Sequence, residues 1–211
     1  MIDISLLMMH LSYSVLYLNS MTINCKEKLK ASGKLLIDKV GYFSTNSNEI
    51  ARSAGLAAGT FYNHYKNKEE LFLDVYKDWH EEQRSAIQAI VLEALNDQEF
   101  TRKIVDILQY YYGRNVKFRS SIHSLKLTST KVYDFRLEQR KILLGMISQI
   151  VKLRKIKRSK DEILLFQMSI ERFFDAYALG EFRELGYSKA KEKQILHNFF
   201  HQFCTGKNYS R

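Results

Sequence analysis

Apolar side chains recur every three or four residues along most of the chain, and glycines and short polar clusters separate the recurring stretches. This spacing is typical of amphipathic helices. One apolar stripe begins near Lys26 and stops before Gly41, whose missing Cβ suits the left-handed end of a helix. A short second helix is predicted from Glu49 to just before Gly55, and a third over residues 57–64. The first third of the chain therefore predicts three short helices.

A much longer helix is predicted from Lys68, because Asn67 offers an N-cap oxygen and no helix breaker occurs before Asn96. Further helices are predicted over residues 99–112, 115–124 and 128–156. Ser159 and Ser188 stand where they can cap the last two long helices. The pattern as a whole predicts an all-α fold of about nine helices.

The composition agrees with a helical fold. The 211 residues include no proline and nine glycines, so few residues favour tight hairpins, and 45% hydrophobic content is enough for a core. Cys25 and Cys204 form no CxxC pair, which excludes a disulfide framework or a cysteine-rich zinc module and suits a reducing cytoplasm. The formal net charge of +10 favours an anionic partner, and residues 114–160 hold 14 basic and two acidic residues.

The three short helices, with a glycine-containing turn at Gly55, fit a helix-turn-helix. In such a motif the last helix enters the major groove of DNA, where small residues let the backbone come close to the bases. Small residues begin this helix at Ala57, Ala58, Gly59 and Thr60. Tyr62 and His64 can reach phosphates, and Lys68 adds positive charge near the start of the next helix.

A longer ordered motif surrounds this helix-turn-helix. Its residues are Gly41, Tyr42, Thr45, 49–51, 54–56, 59–65 and 68–72. The motif resembles the TetR family of bacterial transcriptional regulators over about residues 26–75. The resemblance implies that Thr45 caps the second helix at the DNA backbone. It implies DNA contacts from Thr45, Asn46, Ala57, Ala58, Gly59, Thr60, Tyr62, Asn63, His64 and Lys68.

Two residues depart from the family's common pattern. Ser47 stands where an apolar residue is common, and Ala58 where many members have a long polar side chain. Ala58 can touch a thymine methyl group but cannot make a bidentate contact to guanine. Direct readout of the bases is therefore expected to be sparse.

The resemblance also implies how the rest of the chain is organised and used. We expect an N-terminal extension at residues 1–25, a helix-turn-helix DNA-binding domain at 26–72 and a helical effector-binding and dimerisation domain at 73–211. Members of the family are homodimers that bind a near-palindromic DNA operator and usually release it when a small molecule binds. The expected protein is a cytoplasmic repressor without a cofactor.

Two sets of residues in the C-terminal part are candidates for ligand binding and for dimerisation. Aromatic residues predicted to line a ligand pocket are Tyr110, Tyr111, Phe118, Tyr133, Phe135 and Phe174, although aromatics at helical spacing more often form plain core. At least one of the adjacent tyrosines 110–112 must be exposed or face polar groups. The predicted dimer interface consists of Ile163, Phe166, Ile170, Phe173, Tyr177, Ile195, Phe199 and Phe203, at coiled-coil spacing. The same two stripes could instead pack together within one subunit.

Two segments allow a second interpretation. Residues 4–25 carry no formal charge, but eight of them are polar, so we expect a translation start at Met21 or a loosely packed helical prefix rather than a membrane span. The basic tract at residues 152–160 is expected to be a solvated connection between helices. The wider basic segment could also give a ligand cavity a positive lining that favours an anion.

Enzymatic and metal-dependent functions are not expected. His197, His201 and Cys204 share a helix face, but no fourth ligand is evident. The chain contains no P-loop, GxSxG or glycine-rich dinucleotide motif. Two alternatives to a ligand-released repressor stay open. They are an effector-independent regulator, and a helical lipid-binding or protein-interaction module with a weak DNA-binding head.

Overall fold

The computed structural model describes residues 24–93 and 95–206 of the chain. Its helices are α1 (residues 24–40), α2 (Ser47–Ser53), a 3₁₀ segment (Ala58–Asn63), α3 (Lys68–Val91), α4 (Asp97–Arg114), α5 (Val116–Leu125), α6 (Thr130–Leu153), α7 (Lys160–Leu179), α8 (Glu181–Glu184) and α9 (Lys189–Thr205). No strand occurs in these two ranges. The prediction of an all-α fold is confirmed. The expected N-terminal extension, with its start at Met21, lies outside the described residues except for positions 24 and 25.

Three elements differ from their predicted form. The third helix is a 3₁₀ segment of six residues, because it is too short for a regular helix and Ala57 provides no side-chain cap. Helix α6 ends at Leu153 rather than at residue 156, and Lys155 just beyond it adopts a φ of 54°. Gly180, with a φ of 79°, ends α7 and separates it from the short α8, which the apolar spacing did not predict.

Contacts divide the chain into two compact units, Met1–Tyr76 and Lys77–Arg211. In the first unit, α1, α2, the 3₁₀ segment and the first turns of α3 share one apolar core. Its fully buried side chains include Leu29, Ile37, Ile50, Phe61, Leu71 and Phe72. Gly33 allows α1 and α3 to approach closely, since a Cβ there would lie 2.5 Å from Leu71 Cδ2. The core thus holds the 3₁₀ segment against two longer helices.

The turn between α2 and the 3₁₀ segment is closed by backbone hydrogen bonds. Gly55 adopts a φ of 71°, which an L side chain rarely tolerates, and the Leu56 N–H donates to the Ala51 carbonyl at 2.9 Å. The predicted glycine-containing turn is confirmed. It fixes the direction in which the chain leaves α2 and enters the 3₁₀ segment.

The second unit is a bundle of α4–α9 with the rest of α3. Aromatic rings occupy much of its core. Phe166 of α7 stacks on Phe203 of α9, with ring centroids 3.6 Å apart, and Tyr112 of α4 stacks on Phe174 of α7 at 4.4 Å. These pairs join α4, α7 and α9 to one another.

The connection between α6 and α7 is anchored by two arginines of the basic tract. Arg154 Nη2 donates to Asp97 Oδ1 at 2.8 Å. Arg158 donates to the carbonyl oxygens of Gln202 and Phe203 at 2.8 and 3.0 Å, near the C-terminal end of α9. A cation at this end satisfies carbonyls that have no partner within the helix. The prediction of a solvated connection was therefore wrong for these two side chains.

A membrane span requires a helix that is both long and strongly apolar. Among the helices formed by residues 24–93 and 95–206, none combines the two properties.

Candidate nucleic-acid interface and ligand cavity

The 3₁₀ segment presents a surface of small residues. Ala57, Ala58 and Gly59 are exposed, and Thr60 is half-buried. The segment is held in place by Phe61, which is fully buried in the core of the first unit. A Cβ atom added at Gly59 would meet no protein atom within 4 Å. Another molecule can therefore approach the backbone of this segment closely.

The end of this surface is anchored to α3 and α1 through Asp74. The Tyr65 hydroxyl donates to Asp74 Oδ2 at 2.9 Å, and Lys26 Nζ lies 2.9 Å from the same oxygen. Partial burial of Asp74 acts to raise the pKa of its carboxyl group, but the hydrogen bonds from Lys26 and Tyr65 and the positive charges of Lys30 and Lys26 together lower it. Lys26 thus balances the negative charge of Asp74. Through Tyr65, Asp74 fixes the chain that follows the 3₁₀ segment.

Tyr62, Asn63 and His64 follow the small residues. Tyr62 and Asn63 are exposed, and His64 is half-buried. The Tyr62 hydroxyl lies 2.7 Å from the Ser47 hydroxyl, at the first residue of α2. This hydrogen bond joins the two elements of the helix-turn-helix at their outer surface. The sequence identified Ser47 only as a departure from the family's pattern, because nothing local links residues 15 positions apart.

The N-terminal end of α2 is capped by Asn46 and not by Thr45. Asn46 has an extended backbone, and its Oδ1 accepts the Glu49 N–H at 2.9 Å. Thr45 is only 3% exposed, and its hydroxyl donates to the Gly41 carbonyl at 2.8 Å. The predicted capping role of Thr45 was therefore wrong. Its hydroxyl stabilises the α1–α2 loop instead, while Asn46 remains exposed beside the start of α2.

Lys68 has a role that the sequence did not indicate. Its Nζ donates to the carbonyl oxygens of Tyr42 and Thr45, at 2.5 Å each, and lies 4.1 Å from the centre of the Tyr42 ring. Burial lowers the pKa of this ammonium group. Lys68 thus ties the α1–α2 loop to the first turn of α3. Its predicted contact with a DNA phosphate stays a prediction.

An apolar cavity of about 70 Å³ lies within the second unit, between the second half of α3 and helices α4, α6, α7 and α9. Its wall includes Gln83, Tyr112, Ile147, Phe166, Phe203 and Cys204. No charged side chain of the described residues contributes to this wall. The hypothesis of a positively lined cavity was therefore wrong for this one.

The six aromatic residues predicted to line a pocket lie outside this wall. Tyr110 is 55% exposed, whereas Phe118 and Phe174 are buried in the surrounding core. Tyr133 is exposed beside Lys126, Arg136 and Arg140 in a separate surface groove, and Phe135 packs near His80. Tyr111 is half-buried. Of the adjacent tyrosines 110–112, only Tyr112 contributes to the cavity wall. Tyr110 is exposed, which confirms that at least one of the three does not face the core.

The predicted dimer seam lies mostly inside the subunit. Ile163, Phe166 and Ile170 are buried, and Phe166 stacks on both Phe199 and Phe203 of α9. The intersubunit assignment of these buried residues was wrong, and the alternative packing within one subunit is what the structure has. Phe173, Tyr177 and Ile195 are half-buried, and Phe173 packs on Phe182. The exposed large apolar residues of α7 are Leu164, Leu165, Met168 and Leu179, which are 45%, 62%, 49% and 49% exposed.

His197, His201 and Cys204 were the residues considered as metal ligands. Within the described ranges, no three His, Cys, Asp or Glu side chains come together as a metal ion requires. Cys204 faces the apolar cavity, where burial raises the pKa of its thiol to about 11. The thiol is therefore protonated at neutral pH.

The fold and these surfaces define a helix-turn-helix protein whose helical second unit contains an apolar cavity. Residues 31–75 match the family described as bacterial regulatory proteins, tetR family. Over 53 residues the chain is 38% identical to the HTH-type transcriptional regulator QacR of Staphylococcus aureus. That match covers 25% of this chain and 28% of the relative. The family match lies in the helix-turn-helix region, and the chain spans less than a third of the relative's length.

Solved structures extend the likeness to the second unit. A transcriptional regulator from Rhodococcus sp. Rha1 superimposes with a TM-score of 0.70 at 14% identity, over 88% of this chain and 99% of that one. The fatty acid degradation regulator FadR from Bacillus halodurans gives a TM-score of 0.65 at 14% identity, over 88% and 97%. At these identities the likeness shows a shared fold for nearly the whole chain.

Proposed function

We propose that this protein is a sequence-specific DNA-binding repressor that works as a homodimer and that a small molecule releases from its operator. The observation that carries the proposal is the exposed run of small residues on the 3₁₀ segment, within the region that matches the tetR family. Such a run allows the backbone to approach base edges in the major groove. The protein then acts in the cytoplasm, where bacterial DNA is, and its action requires no catalytic step.

Specificity and positioning come from different residues. Ala57, Ala58, Gly59 and Thr60 face the bases, and the Ala58 methyl group suits a thymine methyl. Asn46 and Asn63 are exposed, and their side-chain amides can donate to DNA. Tyr62, His64 and Lys68 contact phosphates. The hydrogen bond between the Ser47 and Tyr62 hydroxyls orients Tyr62 for such a contact.

Dimerisation presents two recognition segments to a near-palindromic operator. The exposed apolar residues Leu164, Leu165 and Met168 support α7 as a part of the interface, because adjacent apolar side chains on a helix surface are stabilised when a partner covers them. The half-buried α9 residues Phe199 and Phe203 stack on Phe166, and together with half-buried Ile195 they contribute the α9 part of the interface.

The effector binds in the apolar cavity. Helix α3 is continuous from Lys68 to Val91, so the helix that holds the α1–α2 loop also contributes Gln83 and Ile87 to the cavity wall. A ligand that favours one position of α3 shifts the spacing of the recognition segments in the dimer. A hundredfold loss of operator occupancy requires about 2.7 kcal/mol of differential affinity, which lies within the usual range of coupling energies.

The test is a selection of random duplex DNA on the full-length chain at about 150 mM salt, where non-specific affinity is suppressed. The proposal predicts enrichment of an inverted repeat. If a folded dimer enriches no sequence, the proposal fails and the interaction-module alternative gains support. If an operator is found but no small molecule weakens its binding, the effector-independent regulator is the better description.

A further inference from the structure

A surface groove of the second unit combines positive charge with exposed apolar surface. It has a volume of about 230 Å³ and is formed by the first half of α6 and the turn that precedes this helix. Its positive residues are Lys126, Arg136 and Arg140, and its exposed, largely apolar residues are Leu127, Tyr133 and Leu137. None of these six residues belongs to the wall of the apolar cavity or to the surface proposed to bind DNA.

The groove is built on packed helices. Its four α6 residues stand at i, i+3, i+4 and i+7, so they share one face of the helix. Gln167 of α7 is buried, and its Nε2 donates to the carbonyl oxygen of Arg140 at 2.7 Å. This hydrogen bond holds the groove-bearing part of α6 against α7.

Two largely buried carboxylates of α7, Glu171 and Asp175, adjoin the cations of the groove. Asp175 Oδ1 is bound by Arg119 Nη2, and Glu171 Oε1 accepts from Arg140 Nε at 3.0 Å. The Arg136 guanidinium is farther from both carboxylates, at 3.8 Å from Glu171 Oε2 and 4.0 Å from Asp175 Oδ2. The two acids are therefore engaged more closely by other groups than by Arg136.

Lys126 is the cation with the weakest contacts. Its Nζ lies 3.4 Å from His123 Nδ1, which is long for a hydrogen bond, and within the described residues it forms no ion pair with a carboxylate. Burial lowers the pKa of this ammonium group, and the positive charge of Arg136 adds to the effect. With Arg119 and Arg140, four cations of this cluster adjoin two carboxylates, an excess of two positive charges.

A phosphate monoester matches this arrangement. It carries nearly two negative charges at neutral pH and three acceptor oxygens. Arg140 uses Nε for Glu171, so its two Nη groups can donate to such oxygens. The exposed apolar side chains of the groove can contact an organic substituent, and about 230 Å³ exceeds the roughly 150 Å³ of a cavity that holds benzene.

We propose that this groove is a second ligand site, which binds a small phosphate monoester through Lys126, Arg136 and Arg140 and contacts its apolar part through the exposed side chains beside them. The site uses neither the DNA surface nor the apolar cavity. The proposal therefore goes beyond the proposed function and does not depend on it.

The test measures the affinity of the full-length protein, without DNA, for three probes. Phenyl phosphate carries a dianion and a ring, inorganic phosphate lacks the ring, and benzoate carries a ring with one negative charge. Dissociation constants come from ligand-observed NMR titration at about 50 mM salt, where ionic contacts are weakly screened. Phenyl phosphate should bind at least about 3-fold more tightly than either of the other probes. Equal binding of benzoate or of inorganic phosphate, or no binding of phenyl phosphate, would overturn the proposal.

Three variants assign the binding to the groove. Lys126→Met and Arg140→Met each remove one of its cations, and Lys141→Met makes the matched change at an exposed position of α6 outside it. Each groove variant should bind phenyl phosphate about 3- to 10-fold more weakly, as expected for one charge-assisted contact that is partly exposed to solvent. Lys141→Met should change the affinity by less than about 2-fold, because it alters only the net charge.

Thermal unfolding checks that each variant is folded. Because Lys126 forms no ion pair with a carboxylate in the described residues, Lys126→Met keeps the test valid if Arg140→Met does not fold. Wild-type affinity in the folded groove variants would place the probe on another surface, and an equal loss in Lys141→Met would show a response to net charge alone. Either result would contradict the proposal.

Discussion

We expect His80 on α3 to make the stability of the protein sensitive to mild acid. The residue lies in the second unit, with its ring 4.8 Å from the Trp79 ring and 6.2 Å from that of Phe135. Burial lowers the pKa of His80 from 6.5 to about 3, and the positive charges of Arg84, Arg119 and Arg136 add to the effect. The folded state thus favours the neutral imidazole over a wide range of pH.

The sign and size of the effect follow from the two protonation equilibria. The unfolded chain binds a proton at this residue below about pH 6.5, whereas the folded chain does so only near pH 3. The free energy of unfolding therefore decreases as the pH falls through 6.5 and continues to decrease towards 3. Between pH 8 and pH 5 the contribution of His80 amounts to about 2 kcal/mol.

The assay is urea denaturation of the wild type and of His80→Gln at pH 8, 6.5 and 5. Glutamine is polar but does not titrate. The variant should lose about 2 kcal/mol less than the wild type between pH 8 and pH 5, whatever its stability at pH 8. Parallel pH profiles for the two proteins would refute the argument, because they would show that His80 is protonated equally in both states.

Three further predictions concern particular contacts. Lys68→Met removes two hydrogen bonds to loop carbonyls, so the free energy of unfolding measured by chemical denaturation should fall by about 1–3 kcal/mol. If the dependence of DNA affinity on salt concentration is the same in this variant as in the wild type, Lys68 does not contact a phosphate. Ser47→Ala and Tyr62→Phe should each weaken DNA binding, and the double variant should lose little more than either one; full additivity would show that the two hydroxyls act independently. Leu165→Asp should yield folded monomers in sedimentation, and a dimeric Leu165→Asp would exclude that face of α7 from the interface. Phe166→Ala should lower the free energy of unfolding by about 3–5 kcal/mol and leave the dimer intact at low temperature.

The helices could be predicted from the sequence because the signals that begin and end them are local. Ser159 caps α7 by accepting the Glu162 N–H, and Ser188 caps α9 by accepting the Lys191 N–H, as their positions indicated. The small residues around Gly59 were likewise evident from their order along the chain. These features depend on neighbours within a few residues, and the tertiary fold does not change them.

The failures arose where three-dimensional packing decides between equivalent candidates. Thr45 and Asn46 are both good N-caps, and the extended backbone at Asn46 selects the second. The periodicity at Phe166 identified a buried face but not the partner that covers it, which is α9 of the same subunit. A cavity is the space that packing leaves between helices, so aromatic content alone did not indicate Gln83 or Cys204 as its wall.

The central claim, that the 3₁₀ segment enters the major groove, is tested most directly at Gly59. Gly59→Leu adds a side chain whose Cβ meets no protein atom, and Gly145→Leu makes the same change on the exposed surface of α6. The measurement is the affinity of each variant for the selected operator at about 150 mM salt, with thermal unfolding as the check on folding. If the segment enters the major groove, Gly59→Leu should bind at least about 100-fold more weakly while remaining as stable as the wild type, and Gly145→Leu should bind normally. Wild-type affinity for Gly59→Leu would contradict the claim.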